Sequence, residues 1–225
     1  MAGIDAPQLS TLFVGFFDEI QSGTPKLVQF ICRTPRLKEL KSASVTFKYG
    51  ATRVNLSSGT PDYRTIEVGF FCRESDLHIL SLDKVFTSSL PPHSTLEDLY
   101  IYEGTFSPPD WQFFMWLMPL EVFHPFSAVK NLYLSEEIVL CIAPALRRLP
   151  GNRTTEVLPN LENIFLEEVV PSQHSRELED IRQFVEARQV SGHTIAVTGW
   201  ENADDGFHDG EDFDPNDDWN EDDDW

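Results

Sequence analysis

The sequence has few positively charged residues. It contains 17 Lys and Arg against 37 Asp and Glu, which gives a formal net charge of −20 at pH 7. Binding to phosphate backbones is driven by Lys and Arg side chains that displace counterions, so this balance argues against nucleic acid as a partner. The acidity is concentrated at one end, since residues 200–225 hold 13 Asp and Glu and no Lys or Arg.

Cysteine is scarce, and long apolar runs and targeting signals are absent from the sequence. Cys32, Cys72 and Cys141 are far apart and form no C-x-x-C pair, which favours reduced thiols over disulfides or a zinc site. No apolar run is long enough to cross a bilayer, and neither a secretory signal nor a lipidation motif is found. The sequence therefore predicts an intracellular protein, cytoplasmic or nuclear, that does not bind membranes.

The motifs of common catalytic and cofactor sites are also missing. The histidines show no H-E-x-x-H or other ligand spacing, and no glycine-rich phosphate loop, G-x-S-x-G elbow or kinase signature occurs. The run Asp212-x-Asp214-x-Asn216 begins like a calcium loop, but Asp217 stands where that loop needs glycine. We expect no catalytic residue, no metal and no cofactor, and therefore a protein that is not an enzyme.

What the sequence does contain is a leucine-anchored segment that returns at nearly even spacing. The steps between successive anchors are 28, 28, 31, 33, 32 and 32 residues. Most copies follow the pattern L-x-x-L-x-L, in which a short strand points alternate side chains into a core. A fixed period of this size is typical of a solenoid, whose units bury their apolar faces against their neighbours. The anchors are Leu12, Leu40, Val68, Leu99, Leu132, Ile164 and Ala196.

Helical signals lie between the predicted strands. They consist of cap residues, apolar stripes at helical spacing, and proline or glycine at the ends. The predicted helices cover residues 26–33 after Thr24-Pro25, the segment from Ser75 or Asp76 to Leu90, the segment from Ser135 to Leu149 with Gly151 as its stop, and residues 173–189. The last helix is followed by a short predicted strand, Thr194–Val197.

The alternation of strands and helices predicts an α/β fold. The expected architecture is a leucine-rich-repeat-like solenoid of about six to seven units, with parallel strands alternating with helices. Residues 1–198 would form this domain as one continuous sheet, with an antiparallel excursion around Gly50. Residues 199–225 would form an acidic tail that is disordered in isolation, because like charges and few apolar side chains cannot offset the entropy of ordering a chain.

The strand period also predicts a binding face. Successive side chains of a strand point to opposite faces, so the residues beside the anchors should lie on the open, concave face. Two interpretations of the aromatic residues there remain open: they contact a partner as binding hot spots, or they cover one another across the sheet. The predicted face combines an aromatic row of Tyr100, Tyr133 and Phe165 with a polar row of Glu67, Asp98, Asn131 and Asn163.

Three segments carry a resemblance to a known family. They are residues 91–102, 124–134 and 154–161, with the sequences PPHSTLEDLYIY, HPFSAVKNLYL and TTEVLPNL. These segments resemble the leucine-rich-repeat part of the F-box proteins of mushroom-forming (basidiomycete) fungi, and the similarity covers residues 1 to about 198. The resemblance implies a substrate receptor of a Skp–cullin–F-box ubiquitin ligase, a non-catalytic component whose repeats select the target protein.

Two functions from different classes are compatible with the sequence. The first is a target-recognition scaffold derived from an F-box receptor, with an unknown target protein. In that family the F-box precedes the repeats, whereas this sequence begins within one step of the first anchor, so we expect the Skp adaptor and the cullin as partners only if an F-box lies upstream. The second is an acidic adaptor or chaperone-like protein that acts through residues 199–225, where aromatic and acidic residues alternate.

Overall fold

A computed structural model describes residues 11–17, 40–48, 51–58, 65–71, 95–103, 120–149, 153–167 and 175–200. The strands in these ranges are β1 (Thr11–Phe17), β2 (Ser42–Lys48), β3 (Ala51–Ser57), β4 (Thr65–Phe71), β5 (Asp98–Glu103), β6 (Asn131–Leu134), β7 (Asn163–Glu167) and β8 (Ala196–Trp200). The helices are α1 (Glu136–Arg147) and α2 (Ser175–Val190), and a 3-10 turn spans Leu120–Phe123.

All eight strands belong to one sheet, in the order β1-β4-β3-β2-β5-β6-β7-β8. Every pairing is parallel except the two that involve β3. The α/β architecture and the antiparallel excursion are confirmed, because β2 and β3 pair as a hairpin with Lys48 opposite Ala51. The nearly equal spacing of the anchors also predicts that each strand lies beside the next strand in the chain. This holds from β5 to β8, but it is wrong for β1 with β2 and for β4 with β5.

One row of side chains crosses the buried face of the sheet. Leu99 and Leu132 are direct partners in β5 and β6, as the period predicts. Every member of the row is buried except Val197 in β8, which is 44% exposed. These members are Ile66, Leu56, Ala43, Leu99, Leu132, Ile164 and Val197. The predicted anchor Leu12 pairs with Ile66, so its position in β1 is in register with this row.

The predicted anchor Leu40 is not a member of this row. It lies two residues before β2, and the residue of β2 that pairs with Leu99 is Ala43. Leu40 is nevertheless 1% exposed, because it fills the position that Leu96 fills two residues before β5. Leu40 is therefore the first leucine of its L-x-x-L motif and Ala43 replaces the second, so the anchor prediction was wrong by one position of the motif.

Two further anchors are displaced. Val68 belongs to the next buried row, and Ile66 occupies the anchor row of β4. A shift of two residues keeps a side chain on the same face, so hydrophobicity alone does not distinguish these two positions. Ala196 pairs with Asn163 and lies on the opposite face from Val197. A shift of one residue reverses the face of the whole strand.

Helix α1 confirms the helix predicted after Ser135. Ile138, Ile142 and Leu146 are buried on one stripe at helical spacing. Ser135 does not cap the helix with its side chain; its Oγ instead accepts a hydrogen bond from the backbone N–H of Glu103, at 3.2 Å. This contact joins the start of α1 to the end of β5.

Helix α2 confirms the final amphipathic helix, with Ile181 and Phe184 buried. It ends at a left-handed glycine, Gly192, whose φ is +85°. The N–H of Gly192 bonds to the carbonyl of Gln189, and the N–H of His193 bonds to the carbonyl of Arg188, both at 2.9 Å. These are the two bonds of a Schellman motif, which turns the chain toward β8.

Strand β8 is displaced from its predicted position. It begins at Ala196 rather than Thr194, and it continues through Gly199 and Trp200, past residue 198 where the domain was expected to end. The predicted helices over residues 26–33 and from Ser75 or Asp76 to Leu90, the stop at Gly151 and the tail beyond Trp200 lie outside the described residues.

Helices α1 and α2 pack on each other and on the buried face of the sheet. Their buried residues form one apolar cluster with the strand rows. An ion pair joins the two helices, since Nη1 of Arg147 lies 2.8 Å from Oδ1 of Asp180, a side chain that is 1% exposed. Among the described residues, the apolar core thus lies on the side of the sheet that faces α1 and α2.

Candidate functional site

The sheet face opposite α1 and α2 carries the candidate site. Its residues on β2, β5, β6 and β7 are half-exposed, whereas the rows behind them are buried. Six of the seven predicted site residues lie here, in the two rows that the strand period predicts. We call this surface the ladder face; it consists of a polar row, Ser42, Asp98, Asn131 and Asn163, and a second row, Ser44, Tyr100, Tyr133 and Phe165.

The polar row is a continuous chain of hydrogen bonds. Asn131 donates from Nδ2 to Oδ1 of Asp98 at 2.7 Å, and Asn163 donates from Nδ2 to Oδ1 of Asn131 at 2.8 Å. Ser42 donates more weakly to Oδ2 of Asp98, at 3.4 Å. All three bonds point toward the carboxylate, so the charge on Asp98 polarises the amides that follow it.

The aromatic row is a stack of nearly parallel rings. The ring centroids of Tyr100 and Tyr133 are 4.1 Å apart with an interplanar angle of 11°, and those of Tyr133 and Phe165 are 4.4 Å apart at 8°. The rings therefore cover one another across the sheet, as the second interpretation of the row expects. Because the faces are stacked along the sheet, the row presents ring edges and hydroxyls outward. Both faces of the Tyr133 ring are therefore covered by its two neighbours.

The two tyrosines remain neutral at physiological pH. Burial is the main cause that raises the pKa of the Tyr100 hydroxyl, and Tyr133 and the Asp98 carboxylate raise it further. Burial also raises the pKa of Tyr133, while its hydrogen bond with Tyr100 acts in the opposite direction.

Glu67 does not lie where the sequence predicts it. The register pairs it with Asn55 in β3, and through Ser44 in β2 it aligns with Tyr100 rather than with Asp98. The error follows from choosing Val68 instead of Ile66 as the anchor of that copy. Glu67 is three strands away from Tyr100, roughly 14 Å at the usual strand spacing. Its Oε1 is 2.9 Å from Nε of Arg53, so it belongs to a separate part of the same face.

Sequence reasoning missed Arg188, which supports the site from behind. Its side chain is 0% exposed and continues the buried stripe of α2 that contains Ile181 and Phe184. The guanidinium donates four hydrogen bonds of 2.7 to 3.4 Å to the backbone carbonyls of residues 154, 157, 158 and 159, in the turn before β7. Burial lowers its pKa. The sequence signal for this residue is that Arg188, a charged side chain, stands where helical spacing continues the apolar stripe of α2.

Two features of the described residues bear on metal binding and on nucleophilic chemistry. In these ranges, no three His, Cys, Asp or Glu side chains are grouped so that they could hold a metal ion. Burial raises the pKa of the Cys141 thiol to about 12, so this cysteine is not a nucleophile at neutral pH. None of the described helices is both long and apolar enough to cross a bilayer.

The ladder face therefore supplies ordered acceptors, amides, hydroxyls and ring edges, held on a rigid sheet. Similarity to known proteins assigns no family to this arrangement. No protein-family model matches the chain, and no curated protein or solved structure gives a significant match.

Proposed function

We propose that this chain is a protein-protein interaction scaffold whose ladder face binds a target protein. In this proposal the sheet and its helices form a leucine-rich-repeat-like solenoid with a concave ladder face. The chain then acts as the substrate-recognition region of an F-box ubiquitin-ligase receptor, without catalysing a reaction itself. The observation that carries the proposal is the ladder face, where three stacked rings lie beside a hydrogen-bonded polar row on the side that α1 and α2 leave open.

Recurring backbone contacts support the repeat architecture. At the start of β5 the N–H of Glu97 bonds to the carbonyl of Lys41, at the start of β6 Lys130 bonds to Glu97, and before β7 Glu162 bonds to Lys130, all at 2.7 to 2.8 Å. The N–H of Ala196, which pairs with Asn163, bonds to the carbonyl of Glu162 at 2.8 Å, as the N–H of Asn163 bonds to the carbonyl of Lys130 at 2.9 Å. The same interaction at each strand entry is what stacked equivalent units require.

The order within the ladder face favours binding. Association normally costs free energy because rotatable side chains must be fixed at the interface. Tyr133 is already held between two rings, and Asn131 is already bonded on both sides. A partner that contacts these residues therefore loses little to ordering them, and tyrosine is a residue type enriched among binding hot spots.

A pull-down from native cell lysate tests the proposal. The wild-type chain is compared with the double variant Tyr100→Ala/Tyr133→Ala, after circular dichroism has shown that both are folded. If the two tyrosines are hot spots, a joint loss of about 2 kcal/mol or more should weaken capture by roughly 30-fold. The matched control is Arg182→Ala/Gln189→Ala, which changes two exposed side chains on α2 and should leave capture unchanged.

The result that contradicts the proposal is equally clear. If a folded Tyr100→Ala/Tyr133→Ala variant retains every partner, the ladder face is not the binding surface. The ligase role has its own readout: partners captured by the wild type should accumulate when cullin activation is inhibited in the cell. If the abundance of the captured partners does not change, the chain is a binding scaffold and not a receptor of a ubiquitin ligase.

A further inference from the structure

Strand β8 forms one end of the sheet. It is the last strand in the order, and among the described residues no strand pairs with it on the side away from β7. The strand is also accessible to solvent, since Ala196, Val197, Thr198 and Gly199 are all exposed. Strand β8 therefore presents an open edge, to which a further strand can form hydrogen bonds.

The hydrogen bonding of β8 shows which backbone groups face that edge. The N–H of Ala196 bonds to the carbonyl of Glu162, just before β7. Along a strand, residues whose backbone groups point to one neighbouring strand alternate with residues whose groups point to the other. Ala196 and Thr198 therefore bond to β7, whereas the N–H and C=O groups of Val197 and Gly199 point outward. These outward groups are a template for a further strand.

The edge lacks the features that normally prevent strand pairing. Residues 194–200, with the sequence TIAVTGW, contain no charged residue and no proline. Charged side chains and proline are common means by which proteins protect an exposed edge. Threonine, isoleucine and valine are instead residue types that favour strands. The composition of β8 is therefore suited to pairing.

Two apolar rows of the sheet end incompletely at this edge. In the anchor row Ile164 is buried, but its partner Val197 is 44% exposed. In the next row Leu166 is buried, and its partner is Gly199. In the part of the chain that the structure describes, no atom lies within 4 Å of the position that a Cβ of Gly199 would occupy. A further strand with apolar side chains at these two positions would cover Val197 and fill the space at Gly199.

Charge indicates which kind of strand fits. Residues 201–225 follow β8 directly and hold 13 Asp and Glu with no Lys or Arg. Glu201, Asp204 and Asp205 lie within five residues of Trp200, so whatever path the chain takes they are at most roughly 18 Å from the end of β8. Basic residues on the added strand would be attracted to these carboxylates, whereas a second copy of this chain brings a further net charge of −20.

We propose that the outer edge of β8 pairs with an extended segment of a partner protein, in which alternate residues are apolar and lysine or arginine stands at the end near residues 201–205. The backbone of this segment bonds to Val197 and Gly199, and its apolar side chains extend the two buried rows. In such strand addition the main chain supplies affinity and the alternate side chains supply specificity. The edge is a second surface beside the ladder face, so this inference goes beyond the proposed function and does not depend on it.

Synthetic peptides test the pairing on the full chain. In fluorescence anisotropy at 0.15 M salt, the peptide KKVTVTVKK should bind about tenfold or more tightly than EEVTVTVEE, and the difference should shrink as salt is added. Methylating the backbone nitrogens of two valines or of the two threonines removes N–H groups from opposite edges of the peptide. One of these methylated peptides should lose binding and the other should retain it. Equal affinities of the basic and acidic peptides, or the same response to both methylations, would overturn the proposal.

Gly199→Pro and Gly199→Ala form a matched pair of variants, both checked for folding by circular dichroism. Proline removes the outward N–H of residue 199 without removing a bond to β7, and an edge strand tolerates proline at such a position. Alanine keeps the N–H and adds a methyl group where there is space. We expect Gly199→Pro to weaken the binding of KKVTVTVKK roughly tenfold, and Gly199→Ala to stay within about twofold of the wild type. Equal binding by the two variants would overturn the assignment of the edge.

Hydrogen exchange and sedimentation distinguish the other possible occupants. Bound KKVTVTVKK should slow amide exchange in residues 194–200, whereas slowing confined to residues 201–225 would mean that the acidic segment alone binds the peptide. A wild-type chain that sediments as a dimer, and as a monomer when it carries Gly199→Pro, would assign the edge to a second copy instead. If Gly199→Pro binds the peptide normally while Tyr100→Ala/Tyr133→Ala still loses capture from lysate, the edge pairing is wrong and the proposed function stands.

Discussion

The two halves of the sheet are built differently although the sequence repeats through both. From β5 to β8 the anchor row advances by 33, 32 and 33 residues, and each strand lies beside the next. From β1 to β4 the chain doubles back through the β2–β3 and β3–β4 antiparallel pairs, so β1 lies beside β4. Parallel neighbours need a crossover of a dozen or more residues, whereas a two-residue link permits only a hairpin. The two-residue link after Lys48 therefore places β3 beside β2, and the β2–β3–β4 meander lies between β1 and β5.

The exposed face differs between the halves as well. The C-terminal half presents the stacked rings and the amide row, which run from β5 to β7. The N-terminal half presents Ser44, Thr46 and Asn55, together with the Arg53–Glu67 ion pair. Where consecutive strands pair in parallel at equal spacing, equivalent side chains of neighbouring strands lie side by side. This arrangement produces the ladder. The hairpin region breaks that alignment and carries no equivalent surface in the residues described.

The largest expected effect concerns the core row of the C-terminal half. Leu132 is 0% exposed, and Leu132→Asp would bury an unpaired charge, so we expect a loss of about 4 kcal/mol or more and an unfolded chain. Val197 belongs to the same row but is 44% exposed, so Val197→Asp should cost only about 1 kcal/mol. Urea unfolding followed by circular dichroism measures both. Similar losses of stability in the two variants would mean that Val197 is buried as deeply as Leu132.

A smaller effect is expected behind the ladder face. Arg188→Met keeps most of the side-chain volume but removes every donor to the four carbonyls before β7, which should cost roughly 2 to 4 kcal/mol. The control is Arg182→Met, an exposed residue of the same helix that pairs with Glu179 and Glu186 and should remain close to wild type. Thermal and urea unfolding report the difference. If both variants were equally stable, the buried guanidinium would have no structural role.

The next effect is on the ladder itself. Asn131→Leu interrupts the hydrogen-bonded row between Asp98 and Asn163, and because all three residues are half-exposed we expect a loss of about 1 kcal/mol. Ser57→Ala, at a half-exposed position of β3 in the hairpin region and outside the ladder face, should change stability little. The comparison is made by urea unfolding at constant pH and salt. A larger loss from Ser57→Ala would reverse the contrast between the two halves.

The smallest effect is a pH dependence on the surface of α2. Hydrogen bonds from Arg182, and then from Gln183, lower the pKa of Glu179 from its usual 4.5 to about 2. A carboxylate with a lowered pKa stabilises the fold above its unfolded value, so this contribution is present above pH 4.5 and is lost as the pH falls toward 2. Glu179→Gln should flatten this part of the acid-unfolding curve, weakly and less at high salt. An unchanged curve would show that the pair contributes nothing.

Much of the C-terminal half follows from the sequence alone. The strands around Leu99, Leu132 and Ile164, both helices and six residues of the candidate site were predictable, because side-chain alternation and helical spacing are local properties of the chain. The stacking of Tyr100, Tyr133 and Phe165 was foreseen only as one of two alternatives. Ring orientation depends on how neighbouring side chains pack, which spacing does not encode.

The errors share a physical origin. Leu40 and Val68 are buried apolar residues at positions that fit the period, so their hydrophobicity could not show that they lie outside the anchor row. Glu67 was misplaced as a consequence of the choice of Val68. Arg188 was missed because a buried cation is stabilised by backbone carbonyls that are distant in sequence. Register and long-range carbonyl contacts appear only in the folded chain.

Site-specific photo-crosslinking in the native cell tests most directly whether the ladder face is the binding surface. Benzoylphenylalanine is placed at Tyr133 in one chain and, as a control, at Gln189 on the exposed side of α2 in another. We expect a discrete crosslinked partner from position 133, and an excess of unlabelled wild-type chain should suppress this crosslink whereas an excess of the Tyr100→Ala/Tyr133→Ala variant should not. Crosslinks of equal yield from position 189, or none from position 133, would contradict it.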